Sequence, residues 1–353
     1  MIDFKKELFL YAYKTRIPLI ATIEIISECN FRCIHCYIDR DCRKDMLTYE
    51  QVVDFGNQVL AMGCLYVVLT GGEVFLHPDF KRIYTFFAQK GVAVSVFTNG
   101  SLVDADTIEL FKKFPPRVVE ITMYGFNKPT YQQVTKTKYY DAVKTNVLAL
   151  KRNGVNVLLK AFVLQENYCD FDAIRTFASS NSIPFKYDTK IISGRDSIES
   201  THQLDENAAF ELERSDVSTV KKYDDETYQY ITDWNANDFF RCGAGRSSCW
   251  LKSNYKLRAC NFLSFLEYDL NEYTVAEAWE LFSSYIHKKL SAESDCYNCA
   301  YRKHCSYCPA IAYVTTGSND MCKKTKHTAK EQLREHYLQN RLRNTDDISN
   351  MWF

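Results

Sequence analysis

Six short β-rich apolar runs, at residues 19–26, 65–69, 92–97, 118–123, 155–164 and 185–192, alternate with helical patterns at 49–62, 79–89, 105–113, 139–153 and 170–179. Strands separated by helices long enough to cross over build βαβ units, which pair their strands in parallel. Thr48 ahead of Glu50 and Gln51, and Gly63 just past Met62, supply a start and a stop for the first of these helices. Six strands predict an α/β fold, a curved or partial (β/α)6 barrel, with its chemistry at the carboxyl ends of the strands.

Beyond the last run the pattern loosens. Residues 1–192 read as the barrel core, 193–240 as a polar connector with one or two helices, 241–322 as a cysteine-rich section of loops held by metal, and 323–353 as a charged helical tail. A length of 353 residues is ample for about two domains. The 44 basic and 44 acidic side chains cancel, so no long-range field favours nucleic acid or an acidic membrane surface as partner. No run approaches the ~18 apolar residues of a membrane span. Asp3, Lys5, Lys6 and Glu7 stand where a signal peptide needs apolar residues, so a cytoplasmic protein is expected.

Fourteen cysteines are far more than such a chain needs for packing, and a reducing compartment turns spaced thiols toward metal binding or catalysis. Cys29, Cys33 and Cys36 form a CxxxCxxC run directly after the first strand. Three thiolates so spaced can wrap one metal centre, either an iron–sulfur cluster or a zinc completed by Cys42 or His35. Thr70-Gly71-Gly72-Glu73 ends the second strand, where two glycines allow close backbone approach to a ligand and an acid can receive a cation. Thr98-Asn99-Gly100 ends the third and Thr122-Met123-Tyr124-Gly125 the fourth. Each is compatible with an ordinary turn; together, at consecutive strand ends, they outline a site.

In these motifs the sequence resembles the radical S-adenosylmethionine superfamily, whose two best-known signatures match CxxxCxxC and Gly71-Gly72-Glu73 in order and spacing. The resemblance implies a [4Fe–4S] cluster on Cys29, Cys33 and Cys36 whose fourth iron chelates S-adenosylmethionine, and reductive cleavage of the C5′–S bond to a 5′-deoxyadenosyl radical. It implies that Gly71, Gly72 and Glu73 hold the methionine ammonium, that Thr98, Asn99 and Thr122 line the methionine and ribose, and that Lys160 faces the carboxylate. His35 occupies a position usually aromatic or histidine, and Val74 replaces a frequent proline. An electron donor such as flavodoxin or ferredoxin is implied as a partner.

The last third adds Cys242, Cys249 and Cys260, then Cys296-x2-Cys299-x5-Cys305-x2-Cys308 and Cys322. Eight thiols suffice for two four-cysteine sites, zinc-ribbon-like or iron–sulfur. This region resembles the SPASM extension of radical S-adenosylmethionine enzymes, which implies two auxiliary [4Fe–4S] clusters. By order, Cys242, Cys249, Cys260 and Cys308 hold the inner one and Cys296, Cys299, Cys305 and Cys322 the outer. Tyr255 stands where that extension usually has glycine, and the spacing from Cys305 to Cys308 is one residue short. Of the other thiols, Cys169 is a candidate hydrogen-atom donor or a packed thiol, and Cys64 reads as core.

Fold and cofactor do not fix a substrate. The Tyr124-Gly to Tyr131-x3-Thr135 stretch and the Leu164-x2-Asn167 stretch are similar to maturases of ribosomally made peptides. The resemblance therefore implies hydrogen abstraction from a precursor peptide, leading to a thioether, a carbon–carbon crosslink or an epimerised residue. An anaerobic sulfatase-maturing enzyme, which forms formylglycine on a Cys/Ser-x-Pro-x-Arg peptide, is the alternative. A non-catalytic, metal-stabilised binding protein is the third. Fewer than 20 residues precede the first strand, against the ~80 of a winged-helix leader-recognition domain, so leader recognition is expected to need a separate leader-recognition protein as partner, a different surface, or no leader at all.

Overall fold

All six apolar runs become strands of one sheet: β1 (Ile20–Ile26), β2 (Tyr66–Gly71), β3 (Ala93–Thr98), β4 (Val118–Thr122), β5 (Val157–Phe162) and β6 (Phe185–Asp188). They lie in sequence order and pair in parallel throughout. The computed structural model describes residues 4–38, 44–189, 191, 201–215, 238–240, 242–294, 297, 308, 310 and 313. Within these, the chain forms two compact units, Met1–Leu204 with Cys242–Lys288, and Asp205–Arg241 with Lys289–Phe353.

The expected helices follow the strands: α2 (Tyr49–Ala61), α3 (Phe80–Gln89), α4 (Ala105–Lys113), α6 (Tyr140–Arg152) and α7 (Phe171–Ser180). Thr48 caps α2 with a full capping box, its side chain accepting from Gln51 N while Gln51 reaches back to Thr48 N, and Gly63 takes φ +98° after the helix. Two helices were not expected from periodicity, α1 (Phe4–Thr15) and α5 (Lys128–Thr135). The start of α5 is encoded by Asn127, whose Oδ1 accepts from Thr130 N, and by the proline that follows in the first turn.

Right-handed crossovers between sequential parallel strands put all their helices on one face of the sheet. That face carries Ala21, Ile23, Ile25, Val67, Leu69, Val96, Val119, Ile121, Leu159 and Ala161, each at most 1% exposed. The register sets the alternate residues on the opposite, inner face: Glu24, Thr70, Phe97, Glu120, Thr122, Lys160, Phe162, Lys186 and Asp188. The inner charges are paired where buried. Lys186 Nζ lies 2.6 Å from Glu120, and Glu24 binds Ser253 Oγ at 2.8 Å and Lys252 Nζ at 2.5 Å.

Within the cysteine-rich section, residues 248–269 supply three strands that were expected as loops, β7 (Ser248–Leu251), β8 (Lys256–Arg258) and β9 (Glu267–Asp269), which extend the same sheet beyond β1. β7 pairs parallel with β1, Ala21 opposite Cys249, and β8 and β9 add on antiparallel. Residues 242–288 group with residues 1–204 in one compact unit, their strands extending that sheet. Tyr255, in the place usually held by glycine, adopts the left-handed conformation at φ +61° that explains the usual glycine, and its hydroxyl is anchored on Asp54 at 2.8 Å. Of the expected connector, 201–204 joins the first unit and Glu206–Ser215 is a helix of the second. The tail at 323–353 and Cys42, Cys296, Cys299, Cys305 and Cys322 lie outside the described residues.

Candidate active site

The end of β1 runs directly into the cysteine loop, and its stem is clamped to the end of β2. Gly72 N donates to Ile26 O at 2.8 Å and Glu73 N to Glu28 O at 2.9 Å. A Cβ on Gly71 would lie 2.2 Å from Ile26 O, and one on Gly72 2.1 Å from Glu28 O. The glycines thus admit the chain's own backbone; the expected close approach is to the stem of the cysteine loop.

Glu73 is turned inward from this clamp and is fully buried. Its Oε1 accepts from Thr98 Oγ1 at 2.6 Å and Phe75 N at 3.2 Å, and its Oε2 from Asn99 N at 2.7 Å. A carboxylate has about four acceptor positions, so Oε2 keeps capacity for one more donor. Asn99 continues the network, its Nδ2 reaching Asn30 Oδ1 at 2.8 Å and Cys29 Sγ at 3.8 Å, while Asn30 Nδ2 donates to Ser101 Oγ at 2.9 Å. The ends of β1, β2 and β3 therefore form one hydrogen-bonded cluster joining Cys29, Glu73, Thr98 and Asn99. Asn30 and Ser101 belong to it and were missed; two polar residues beside recognised motifs were the only signal.

Burial raises the Glu73 carboxyl to about 7, against the opposing hydrogen bonds from Thr98, Asn99 and Phe75. The unfolded carboxyl ionises near 4.5, so between that value and about 7 the folded chain holds a proton that the unfolded chain has lost. Stability of the metal-free chain should therefore fall as pH rises through this window, by about 3 kcal/mol in all, and level off above it. Glu73→Gln removes the ionisation. Urea unfolding at pH 5 and pH 8 is expected to show the variant gaining most of that difference over wild type at the higher pH; parallel pH profiles would contradict the assignment.

The far side of the cysteine loop rests on α5, with Arg32 N donating to Thr135 O and Ile34 N to Val134 O, both at 3.0 Å. His35 is buried, its ring 5.4 Å from those of Tyr124 and Phe162. Desolvation, then the fields of His202 and Lys160, lower its pKa to about 4, so it is neutral at ordinary pH. Lys160 stands beside Thr122 in the β4–β5 register with Nζ 4.1 Å over the Phe162 ring, and desolvation lowers its pKa. His35, Thr122, Tyr124, Lys160 and Phe162 thus gather at the β4–β5 side. Asn167 ties these two strand ends together by donating to Tyr124 O and Phe162 O, both at 3.0 Å.

Cys29, Cys33 and Cys36 are half-buried on this loop. Two buried polar atoms without partners lie beside it, His35 Nδ1 on the loop itself and Tyr131 Oη, whose ring packs on Phe31. Three thiols with adjacent donors fit an iron–sulfur centre with an open side. Among the described residues, no three His, Cys, Asp or Glu side chains converge on a single-ion site.

The other cysteines divide. Cys242 is exposed and Cys260 half-buried on either side of the β7–β8 hairpin, and Cys308 is half-buried in the second unit. Cys249 is 2% exposed on the helix-facing side of the sheet, beside Leu251 in alternation and opposite Ala21, and burial, then the Cys64 thiol, pushes its pKa well up. Cys64 is core as expected. Cys169 is exposed on a 3₁₀ turn, Sγ 3.8 Å from Asp170 Oδ1, outside the hydrogen-bonded cluster.

Comparison with known proteins bears on this arrangement. Residues 23–178, from β1 through α7, match the model of the radical SAM superfamily. The antilisterial bacteriocin subtilosin biosynthesis protein AlbA of Bacillus subtilis is 24% identical over 307 residues, covering 84% of this chain and 66% of AlbA. The AdoMet-dependent heme synthase of Methanosarcina barkeri is 24% identical over 336 residues, covering 86% of this chain and 94% of the synthase. Streptococcus suis SuiB bound to S-adenosylmethionine shares the fold at TM-score 0.69 and 15% identity over 88% of this chain and 77% of SuiB. anSMEcpe with bound AdoMet and the Cp18Cys peptide does so at TM-score 0.71 and 14% identity, over 94% of this chain and 100% of anSMEcpe. No helix among the described residues is long and apolar enough to cross a membrane. With the family model spanning the cysteine loop, the Gly71–Glu73 clamp and the Thr98–Asn99 network, residues 23–178 form a radical SAM domain, of the superfamily that works with a [4Fe–4S] cluster and S-adenosylmethionine.

Proposed function

We propose that this enzyme matures a peptide, abstracting hydrogen from a residue of a ribosomally made precursor. The carrying observation is the similarity to AlbA, which at 84% of the chain must run well past the matched domain into the cysteine-bearing section. SuiB, whose fold the chain shares, has been crystallised with its precursor peptide SuiA.

In this reading Cys29, Cys33 and Cys36 hold the cluster, which when bound supplies the electron that splits S-adenosylmethionine. The residues around it bind and orient. Glu73, fixed by Thr98, Asn99 N and Phe75 N, offers its remaining Oε2 position to the methionine ammonium. Thr122 and Lys160 approach from β4 and β5, Lys160 as the cation for the methionine carboxylate. The neutral His35 ring, with Tyr124 and Phe162, offers an aromatic surface to the adenine. Auxiliary clusters would draw on Cys242, Cys249, Cys260 and Cys308 and on Cys296, Cys299, Cys305 and Cys322.

A second reading, the sulfatase-maturing reaction, is favoured by the fold match over the whole of anSMEcpe, and a heme-precursor reaction by the length shared with the heme synthase. The reconstituted enzyme with dithionite and S-adenosylmethionine is to be offered short peptides encoded beside its gene, a Cys-x-Pro-x-Arg peptide and a heme precursor. The maturase reading expects a neighbouring peptide to lose two hydrogen atoms, or to exchange hydrogen at one α-carbon, as 5′-deoxyadenosine forms. Conversion of the Cys-x-Pro-x-Arg peptide alone, or of the heme precursor alone, would replace it.

A further inference from the structure

Tyr131, on the cysteine-loop side of α5, is 0% exposed, and its hydroxyl has no hydrogen-bond partner. A buried hydroxyl left unpaired costs about 1–3 kcal/mol, so such a group is retained where something pairs with it in the working protein. The ring itself is well held. It packs edge-on against Phe31 at 6.1 Å between centroids, Tyr124 at 6.2 Å and Tyr140 at 5.7 Å. Its helix carries the cysteine loop, through the bonds from Arg32 N and Ile34 N to Thr135 O and Val134 O. The hydroxyl is thus held at a set distance from that loop by backbone. After desolvation, the groups acting on its ionisation are Cys33, Glu73 and Cys29, in that order. These are two of the candidate cluster thiolates and the buried acid of the same site. The nearby Tyr140 hydroxyl makes the contrast: it donates to Phe126 O at 2.8 Å and is satisfied within the chain.

We propose that the Tyr131 hydroxyl donates a hydrogen bond to sulfur of the iron–sulfur centre carried by Cys29, Cys33 and Cys36, a thiolate or a bridging sulfide, and thereby sets its reduction potential. The inference rests on the cluster assignment made above. Reduction adds a negative charge to the centre, and a fixed donor at sulfur stabilises the reduced form more than the oxidised one. Tyr131 is on this account a tuning residue that contacts the cofactor and moves no proton.

The test is Tyr131→Phe, which keeps the ring and its edge contacts. Anaerobic redox titration is followed by electron paramagnetic resonance on the signal that changes when S-adenosylmethionine is added, since that response marks this cluster among any others. The variant is expected to bind as much iron as wild type, its metal-free form to be no less stable, and its potential to become more negative. Tyr140→Phe is expected to leave the potential unchanged. If Tyr131→Phe fails to load iron, 3-fluorotyrosine at position 131, a stronger donor of nearly the same shape, is expected to move the potential the opposite way. An unchanged potential overturns the proposal, as does an equal shift in Tyr140→Phe. A change confined to S-adenosylmethionine affinity does so too, because the hydroxyl then serves that ligand. A wild-type enzyme with iron but no S-adenosylmethionine-responsive signal overturns the cluster assignment itself, and this proposal with it.

Discussion

Gly72→Ala is expected to destabilise the chain by at least about 3 kcal/mol, a large part of the 5–15 kcal/mol that holds a typical domain folded. The new Cβ would lie 2.1 Å from Glu28 O, 2.5 Å from Glu28 C and 2.6 Å from Ser27 O. All three are backbone atoms, so no rotamer relieves the clash. Relief requires parting the end of β2 from the stem of the cysteine loop, which breaks the bonds from Gly72 N and Glu73 N and draws Glu73 away from Thr98 and Asn99. Gly91→Ala is the control. Its Cβ meets nothing within 4 Å, and its φ of +74° costs only the left-handed strain, about 1–2 kcal/mol. Thermal unfolding of the metal-free chain reads both. A Gly72→Ala midpoint no lower than that of Gly91→Ala would show that the two backbones are not in the contact described.

That close approach also shows what could and could not be read beforehand. Alternation and length located all six parallel strands because each buries one apolar face under helices, as Ala21, Ile23 and Ile25 do in β1. The strand-end motifs followed, since a sequential parallel sheet brings consecutive carboxyl ends together. Glu73, Thr98, Asn99 and Cys29 are accordingly found in one network.

What was missed is non-local. Nothing in the local pattern of Gly71-Gly72 says that the nearest atoms belong to Ile26–Glu28 rather than to a ligand. Ser248–Leu251 and Lys256–Arg258 are too short to show a period, and the cysteines around them outweighed their alternation. Tyr131 lies in a pattern that the sequence made visible, but its unpaired hydroxyl depends on α5 docking under a loop about a hundred residues upstream of it in pairing terms and on no local feature at all.

The second large effect concerns the cysteine loop, on which the account depends. Cys29, Cys33 and Cys36 share one loop, held on one side by the Asn99 network and on the other by α5. Changing all three to alanine removes the donors that distinguish an iron–sulfur centre with an open side from an ordinary thiol-bearing turn. The β7–β9 extension is untouched by the change.

Iron per chain after anaerobic reconstitution, measured together with 5′-deoxyadenosine formed under dithionite, tests this most directly when wild type is set beside Cys29/Cys33/Cys36→Ala. The account predicts that the variant loses about four irons per chain and that its 5′-deoxyadenosine falls to background. Zinc in place of iron in the wild type, or S-adenosylmethionine cleavage that survives the triple change, would contradict it.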